Sequence, residues 1–506
     1  MLARYGDRRL AVAIALYLVV LGSLAAWRWH IGTYGADTGL FTQVVSDGLG
    51  GFRDGPEDGT HFRFHWSPLL ALLWPLVAAP HLSLVLQFVQ VALIAATAIP
   101  LYLLARTYLP EKLGLAVACL ALVYPPLMAV AFTEFHEIAF YPPIAVGLFW
   151  AADRAAWRWF AVFACASALI REDTCIVFAI VGLVFAAIGV LRRGTQIVGD
   201  DGLLVGRPRQ PRALALAGVA LALVNVAAPL AYFGLVIPRV GAWEPSHFYD
   251  YPFASSPLGL LAALFAHPAY VAYLLNYGRL TYLIEAFVPL ALLPFFSRWS
   301  LLALPGLGIV LLSSSWIAWR MGSHYAAIFV PWLFIGALAA LVRWHRAGRT
   351  LRVRRFLTAA FAICALVLVA FNPLHPLHYI RPIYPKGDDI GRALASIPAS
   401  AHVLTHDEWF TWIASTHPHA TVFLCPDVDM LVLGDEYPTK LWPEVHAELE
   451  SGQLRFARRF GRVTVYLRRA DRPGEYENCA TGRYDDFPSR RAFLDFNLKR
   501  MESTRR

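Results

Sequence analysis

The side chains of this sequence that could carry out chemistry lie in short polar segments between long apolar blocks. Asp37 lies in the polar segment that follows the first block, and Glu134, His136 and Glu137 lie together in Thr133–Glu137. A carboxylate can take a proton from a hydroxyl nucleophile, and its oxygen atoms also suit a hard divalent cation. We therefore treat these four residues as catalytic candidates, and Asp37 also as a candidate ligand for Mg²⁺ or Mn²⁺.

A second group of polar residues has the types that bind a phosphorylated substrate. Arginine can hold two phosphate oxygens with its planar guanidinium, and histidine can bind phosphate or shuttle a proton. The substrate-binding candidates are His65, Arg171, Glu172, Asp173, Arg320, His324 and Tyr325. Each motif alone has a structural alternative: Asp37 could be a helix N-cap, and Arg171–Asp173 could be a self-neutralising turn.

The elements that carry these residues are predicted to be membrane-spanning helices. Of the 506 residues, 58% are hydrophobic and only 16% are charged, and the mean hydropathy is +0.51. Most of residues 10–371 form apolar blocks of about 15–25 residues, which is the length that a bilayer core requires. Lipid cannot pair free backbone groups, so these blocks must be helical. The sequence predicts a polytopic α-helical domain over 1–371, with about eleven transmembrane helices.

The arginines predict how these helices are oriented in a bacterial plasma membrane. Arg4, Arg8 and Arg9 precede the first block, and the loops 192–212 and 343–355 are rich in arginine. Because basic loops stay in the cytoplasm, the N-terminus is predicted to be cytoplasmic. The apolar stretch 67–80 is short and flanked by proline, and we predict that it does not cross. The net charge of +9 is explained by these loops, so we expect no nucleic-acid partner.

The composition changes at Asn372, where the apolar blocks end. Strands are predicted near 401–405, 420–424, 430–433 and 462–467, and helices near 388–398 and 443–451. This pattern favours a small α/β domain over 372–506, and an odd number of crossings places it outside the cytoplasm. Cys425 and Cys479 both fall in this domain. A disulfide between them is left open, because sequence gives no distance.

Taken in order, the motifs resemble the DUF2079 family of predicted membrane proteins. They are Asp37–Gln43, His65–Pro68, Glu134–Glu137, Arg171–Thr174 and His324–Tyr325. One departure is Glu134, where the family more often has an aspartate, and another is Glu137, which replaces a proline. An acid is retained at position 134, but the glutamate side chain is one methylene longer than aspartate, so the geometric role of this residue is in question.

The wider architecture is similar to the GT-C glycosyltransferases, which are multi-helix membrane enzymes. The resemblance implies that Asp37 is the catalytic acid or base of the first outer loop, or a metal ligand. It implies that Glu134, His136 and Glu137 form the second acidic group, and that Arg171 and Arg320 bind a lipid phosphate. The implied reaction moves a sugar from a polyprenyl-phosphate donor in the bilayer to an unknown cell-envelope acceptor. A transporter or flippase for a lipid-linked substrate, and a non-catalytic membrane scaffold, remain the alternatives.

Overall fold

The computed structural model describes most of the chain. The described residues are 7–55, 59–191, 210–240, 265–274, 276–371, 387–422, 428–434 and 443–469, with Leu203, Tyr251, Gly259 and Ala262. Cys425 and Cys479 lie outside them, as does the predicted domain boundary at 371/372. The disulfide and the boundary therefore stay predictions.

The apolar blocks of the first 371 residues form α-helices, several of them broken into shorter pieces. In chain order they are α1 Arg8–His30, α2 Ala36–Ser46, α3 Leu82–Ala96, α4 Ala98–Ala105, α5 Glu111–Leu122, α6 Pro125–Phe132, α7 Tyr141–Asp153, α8 Trp157–Ser167, α9 Glu172–Leu191, α10 Pro211–Ala231, α11 Ile237–Val240, α12 Pro268–Leu274, α13 Tyr277–Phe287, α14 Leu304–Leu312, α15 Val330–Arg346 and α16 Thr350–Leu366. Helix α1 begins at Arg8 because the Asp7 carboxylate accepts from the Arg9 N–H at 2.9 Å, which caps the first turn.

In the described part of the chain, five helical stretches are long and apolar enough to cross a membrane. They are Arg8–His30, Leu82–Ala105, Glu172–Leu191, Pro211–Val240 and Thr350–Ala370. A sixth would be the pair α5 and α6, which is bent by 47°. Other expected spans form shorter helices, such as the 13 residues of α7. At 1.5 Å per residue, α7 is about 20 Å long and shorter than a bilayer core. A multi-helix membrane fold is confirmed, while eleven spans stay a prediction.

The stretch 67–80 forms a 3-10 helix, Pro68–Ala78, rather than a long α-helix. Pro75 lies inside it and removes one backbone donor. The Leu69 N–H donates to the Leu169 carbonyl at 2.9 Å, which ties this segment to the end of α8. Its shape agrees with the prediction of a short segment.

Small residues let the helices α9 and α10 pack closely. A Cβ atom on Gly182 would lie 2.6 Å from the backbone nitrogen of Ala222, so only glycine allows this approach. Small residues bring membrane helices together in this way because hydrophobic burial adds little inside lipid. The most buried helix is α15, whose side chains are enclosed from Val330 to Val342.

The C-terminal region is a small α/β domain, as predicted. Its helices are α17 Gly387–Ala395, α18 Asp407–Ile413 and α19 Pro443–Glu450. Strands β1 Arg53–Asp54 and β2 Gly59–Thr60 form a short hairpin in the first domain. The strands of the C-terminal region are β3 Val403–Thr405, β4 Met430–Gly434, β5 Leu454–Phe460 and β6 Val463–Arg468. They form one sheet of order β3-β4-β6-β5, in which only β3 and β4 are parallel.

Most elements of this sheet match the predicted ones, with three differences. The segment near 420–424 contributes an isolated bridge, from Thr421 to Leu404, and the rest of it lies largely outside the described residues. Strand β5 and helix α18 were not predicted. Strand β5 was missed because it is largely exposed and rich in arginine, which hides the strand pattern. Helix α18 contacts α2, the helix that carries Asp37.

Candidate active site

Asp37 lies in the first turn of α2, the short helix that follows α1. The residue at the N-cap is Gly35, whose backbone is extended and which has no side chain to accept a hydrogen bond. The Thr38 N–H of this turn donates instead to Glu134 Oε2 at 3.3 Å. The N-cap alternative for Asp37 is therefore wrong. Because α2 is capped by Glu134, the Asp37 carboxylate is left available for other contacts.

Glu134 packs directly beneath this helix start. A Cβ atom on Gly35 would lie 2.5 Å from Glu134 Oε1, so glycine is what allows the carboxylate to approach. Burial, followed by the negative charge of Asp37, raises the pKa of Glu134 to about 7. Glu134 can therefore exchange a proton near neutral pH, whereas an ordinary glutamate would be fully ionised.

His136 joins Asp37 to the Glu134 loop. Its Nε2 atom forms an ion pair with Asp37 Oδ2 at 3.2 Å, and its Nδ1 atom lies 2.9 Å from the Glu134 carbonyl oxygen. Both partners are acceptors, so the ring satisfies both only when both nitrogens carry a proton. Burial would lower the pKa of His136, but the contact with Asp37 raises it. In the same way, burial would raise the pKa of Asp37, but His136 lowers it.

Two glutamines of α3 hold the loop that carries Glu134 and His136. The Gln90 amide nitrogen donates to the carbonyls of Thr133 and Glu134 at 2.9 Å, and its oxygen accepts from the His136 N–H at 2.9 Å. Gln87 lies 2.8 Å from Thr38 Oγ1. Sequence reasoning missed both residues. The available signal was a pair of buried amides inside an otherwise apolar block, since such groups need partners.

A second cluster surrounds Arg171, and its charges are already paired. The guanidinium donates to both oxygens of Asp173, at 2.8 and 2.5 Å, and to Glu137 Oε1 at 3.2 Å. The side chains of Arg171 and Glu137 are only 4% and 1% exposed. Burial would raise the pKa of Glu137, but the charge of Arg171 lowers it. Because the guanidinium N–H groups of Arg171 donate to two carboxylates, Arg171 has the geometry of a residue that holds Asp173 and Glu137 in position.

His65 and Glu172 form the neighbouring pair. The His65 Nδ1 atom lies 2.8 Å from Glu172 Oε1, and the Trp66 N–H donates to Glu172 Oε2 at 2.8 Å. Burial would lower the pKa of His65, but the charge of Glu172 raises it. Glu172 therefore fixes the His65 segment to the start of α9.

Stacked rings connect the two clusters. The ring of His136 stacks on His324 with centroids 3.5 Å apart, and His324 lies 4.2 Å from the ring of Tyr325. The guanidinium of Arg171 then lies 5.5 Å from the centre of the Tyr325 ring. This column brings together residues that are far apart in the sequence. This ring column contains four of the predicted site residues, namely His136, His324, Tyr325 and Arg171.

Arg320 is the predicted site residue that the structure does not bring into contact with the others. It is exposed, and its guanidinium lies 5.2 Å from the ring centre of Trp316. No carboxylate among the described residues pairs with it. Arg320 precedes His324 of the ring column by four positions in the sequence.

A further arginine lies near the acidic group. Arg28, between two tryptophans in the last turn of α1, is buried, with 6% of its surface exposed. Its guanidinium donates to the carbonyls of Phe132 and Thr33, and it lies over the ring of Tyr34 at 4.1 Å. Its charge acts on Glu134 and opposes the rise in the pKa of that carboxyl. Arg28 therefore supports the acidic group from the end of α1.

The C-terminal domain covers the opposite face of α2. The Gln43 amide donates to the carbonyls of His417, Pro418 and Ala420, at 3.3, 3.1 and 2.9 Å. The Thr411 hydroxyl donates to the Gly35 carbonyl at 2.9 Å. The C-terminal domain thus holds both ends of the helix that carries Asp37.

Aromatic packing completes this contact. The ring of Phe410 lies against Gly39, where a Cβ atom would collide with it. The rings of Trp29 and Trp412 stack with centroids 4.4 Å apart and an angle of 10°. The two domains therefore meet at the candidate site through a packed and hydrogen-bonded interface.

The predicted metal site was tested against the donor atoms. Among the described residues, no three His, Cys, Asp or Glu side chains are arranged to hold a metal ion. Asp37 and Glu134 are adjacent, but one oxygen of each is engaged by His136 or Thr38. These two carboxylates do not form a complete set of metal ligands by themselves.

Comparisons with solved structures identify the fold. The chain is similar to ArnT from Cupriavidus metallidurans bound to undecaprenyl phosphate, at 13% identity and a TM-score of 0.50, with 90% of this chain and 99% of that one covered. It also matches the Archaeoglobus fulgidus oligosaccharyltransferase tethered with an acceptor peptide, at 14% identity, a TM-score of 0.40, and 84% and 69% coverage. A structure of that enzyme with zinc and sulfate matches at 14% identity, a TM-score of 0.40, and 83% and 68% coverage. At these identities the likeness shows the fold alone, which is GT-C-like.

Sequence comparison gives the family. No curated protein is similar enough in sequence to count as a relative. The family model described as "Predicted membrane protein (DUF2079)" matches residues 26–416, which include the Asp37 helix, the ring column and α18. The chain therefore belongs to the DUF2079 family of predicted membrane proteins.

Proposed function

We propose that this protein transfers a sugar from a polyprenyl-phosphate-linked donor to an acceptor on the extracytoplasmic side of a bacterial plasma membrane. The GT-C-like fold supports this proposal, since ArnT, which has that fold, was crystallised with undecaprenyl phosphate. The predicted orientation supports it as well, because the basic loops 192–212 and 343–355 would lie on the cytoplasmic side.

The observation that carries the proposal is the exposure and the hydrogen bonding of the Asp37 carboxylate. Its side chain is 56% exposed, although His136 beside it is only 9% exposed. One carboxylate oxygen is held by His136, and the other has no hydrogen-bond partner among the described residues. A fixed, ionised carboxylate with one open oxygen can accept a hydrogen bond from an incoming hydroxyl group.

In the proposed reaction the acceptor hydroxyl attacks the anomeric carbon of the donor sugar. A bond forms between the acceptor oxygen and that carbon, and the bond between the carbon and the phosphate oxygen breaks. The hydroxyl proton passes to the open oxygen of Asp37, and the polyprenyl phosphate leaves as an anion. Glu134, with a pKa of about 7, is placed to take up or return a proton between turnovers.

The leaving phosphate requires a cation, and we assign this role to Arg320. It is exposed and unpaired with any described carboxylate, whereas Arg171 is enclosed by Asp173 and Glu137. Free guanidinium donors stabilise an anion that develops in the transition state. Arg171, Glu172, Asp173 and His65 then shape the floor of the site, and His324 and Tyr325 connect that floor to His136.

The test is a transfer assay on the purified protein. The lipid that co-purifies with it would be identified by mass spectrometry and supplied as donor. Asp37→Asn is expected to reduce the rate by about 10²–10⁴-fold, the usual contribution of a general base. The matched control is Asp388→Asn, an exposed aspartate of the C-terminal domain, which should keep the wild-type rate. Equal activity of wild type and Asp37→Asn would rule out the proposed role of Asp37.

A further inference from the structure

The segment between α6 and the 3-10 turn Glu137–Phe140 is extended backbone inside the protein. Thr133 and His136 have extended φ and ψ angles, and Phe135 and His136 are only 0% and 7% exposed. The buried N–H and carbonyl groups of such a segment need partners elsewhere, because extended backbone does not pair with itself. No strand among the described residues pairs with this segment. Its partners are side-chain amides of α3.

Gln90 supplies three of these hydrogen bonds. Its amide nitrogen donates to the carbonyls of Thr133 and Glu134, and its amide oxygen accepts from the His136 N–H, all at 2.9 Å. Gln90 is 0% exposed, so bulk water does not compete for these bonds. The side chain therefore holds the backbone on both sides of Phe135.

Gln87, one turn earlier in α3, extends this contact to the Asp37 helix. In the amide orientation that satisfies its neighbours, its oxygen accepts from the Thr38 hydroxyl at 2.8 Å and from the Phe135 N–H at 2.9 Å. Its nitrogen donates to the Thr133 carbonyl at 3.1 Å. Thr38 follows Asp37 directly in α2. Helix α3 therefore contacts both elements that form the Asp37–His136 ion pair.

A chain of contacts leads from Gln90 to the Asp37 carboxylate. The Glu134 carbonyl that Gln90 holds lies 2.9 Å from His136 Nδ1, and His136 Nε2 lies 3.2 Å from Asp37 Oδ2. A carbonyl oxygen held opposite Nδ1 favours the ring with a proton on both nitrogens. This is the form of His136 that pairs with an ionised Asp37.

We propose that Gln90, together with Gln87, is a positioning residue that keeps Asp37 ionised and its open oxygen in a fixed place. Gln90 acts through the Glu134 carbonyl and the His136 ring. The inference rests on the proposed function, because it concerns the same transfer of a proton to Asp37. If Gln90 only satisfied buried backbone groups, its loss would lower stability and leave the chemistry of Asp37 unchanged.

The first test needs no substrate. Full-length protein with isotope-labelled histidine would be titrated by NMR in detergent, and the signal missing from His136→Gln identifies His136. Burial would lower the pKa of His136, but Asp37 and the Glu134 carbonyl raise it. Gln90→Met, which has no amide donors, should lower this pKa because the carbonyl is no longer held opposite Nδ1. An unchanged titration of His136 in Gln90→Met would overturn the proposal.

The matched control is Asn225→Leu, which removes another buried amide from a membrane helix. In α10 the Asn225 amide nitrogen donates to the Ser167 hydroxyl at 2.9 Å and to the Leu221 carbonyl at 3.0 Å. This variant should unfold at a lower temperature and keep the wild-type titration of His136. Neither variant changes the titratable groups that act on His136, which include Asp37, Glu134, Glu137 and His324. The same fall in the His136 pKa in Asn225→Leu would overturn the proposal, since it would reflect loss of stability alone.

The second test is the transfer assay, with the co-purifying lipid as donor. Gln90→Met should lower kcat by about 10²-fold and leave KM for the donor unchanged, since small displacements of a reacting group have effects of this size. In the Asp37→Asn background the same substitution should change the rate by no more than about 2-fold, because the group through which it acts is gone. An equal fold-loss in both backgrounds would overturn the proposal.

Thr38→Val keeps the proposal testable if Gln90→Met does not fold. Valine has nearly the same shape, leaves the Thr38 N–H for Glu134, and removes only the hydroxyl that Gln87 contacts. We expect a loss of about 5-fold in kcat, as for one hydrogen bond, and no loss in the Asp37→Asn background. A wild-type kcat in Thr38→Val would overturn the positioning role alone, whereas a wild-type protein that transfers no sugar would rule out the proposed function.

Discussion

The two clusters of charge in the candidate site differ in how completely they are paired. Around Arg171, one buried guanidinium is shared by Asp173 and Glu137, and among the described residues one buried oxygen of Glu137 is left without a hydrogen bond. Around Asp37, one carboxylate oxygen is held by His136 and the side chain stays 56% exposed. Both clusters contain the same residue types within a short distance of the His324 ring.

Under the proposed function, this difference assigns a structural role to the Arg171 cluster and a chemical role to the Asp37 cluster. A buried ion pair whose partners satisfy each other is costly to break but has little to offer a substrate. An exposed carboxylate that is paired with a histidine through one oxygen can still contact a substrate through the other oxygen. Dense clusters of charged residues therefore indicate the candidate site in the sequence. The extent of their pairing in the structure distinguishes the Arg171 cluster from the Asp37 cluster.

The largest expected effect on stability comes from the Arg171 cluster. Arg171→Gln leaves the carboxylates of Asp173 and Glu137 without their cation, and we expect it to destabilise the protein by about 3–5 kcal/mol. Thermal unfolding in detergent would measure this loss. In contrast, Asp37→Asn should leave the unfolding temperature close to that of the wild type. A stable Arg171→Gln protein that retains its donor lipid but has no activity would reverse the roles of the two clusters.

The next largest effect concerns the contact between α18 and the Asp37 helix. Gly39→Ala would force a methyl group into the ring of Phe410, and overpacking of this kind costs about 1–3 kcal/mol. We expect a lower transfer rate and a lower unfolding temperature. Cysteines at Ser83 and Ser415, whose hydroxyl oxygens lie 3.2 Å apart, would report the contact by disulfide formation.

Restoring the space would test the cause of this effect. In Gly39→Ala/Phe410→Ala the added methyl group has room, so the Ser83–Ser415 crosslink should form more readily than in Gly39→Ala alone. A double variant no better than the single one would mean that Gly39 is required for its backbone and not for its contact with Phe410.

The last prediction concerns the pH dependence of stability at Glu134. Its pKa in the folded protein, about 7, is above the value of 4.5 for an unfolded glutamate. The stability that it contributes is complete below pH 4.5 and is lost as the pH rises through 7. Glu134→Gln should therefore raise the unfolding temperature at pH 8 and leave it unchanged at pH 4, where both proteins carry a neutral group.

The control for this prediction is Glu450→Gln, which changes an exposed carboxylate of α19. It should shift the unfolding temperature by the same small amount at both pH values. If Glu134→Gln behaves in the same way as this control, then burial and the negative charge of Asp37 do not raise the pKa of Glu134.

The sequence predicted the membrane fold and the residue types of the site, because long apolar blocks make polar interruptions conspicuous. Asp37, Glu134, His136 and His324 do converge, although nearly 290 positions separate the first from the last. The distinction between Arg171 and Arg320 was not predicted, since the sequence does not show which charges are already paired.

The supporting amides and the domain contact were beyond sequence reasoning for a similar reason. Gln43, Gln87 and Gln90 are buried, but a glutamine gives no indication of which distant carbonyl it will contact. Helix α18 has only seven residues, too few for a clear periodic pattern. The number of spans was uncertain because helices such as α7 and α8 are shorter than a bilayer core.

The hydrogen bonds of Gln43 have a consequence for how the protein is made. This side chain lies in α2, yet its partners at 417, 418 and 420 are synthesised more than 370 residues later. A nascent chain therefore contains most of its helices before the Asp37 helix gains these contacts. We expect a chain truncated before residue 417 to lack the hydrogen bonds that hold this end of α2.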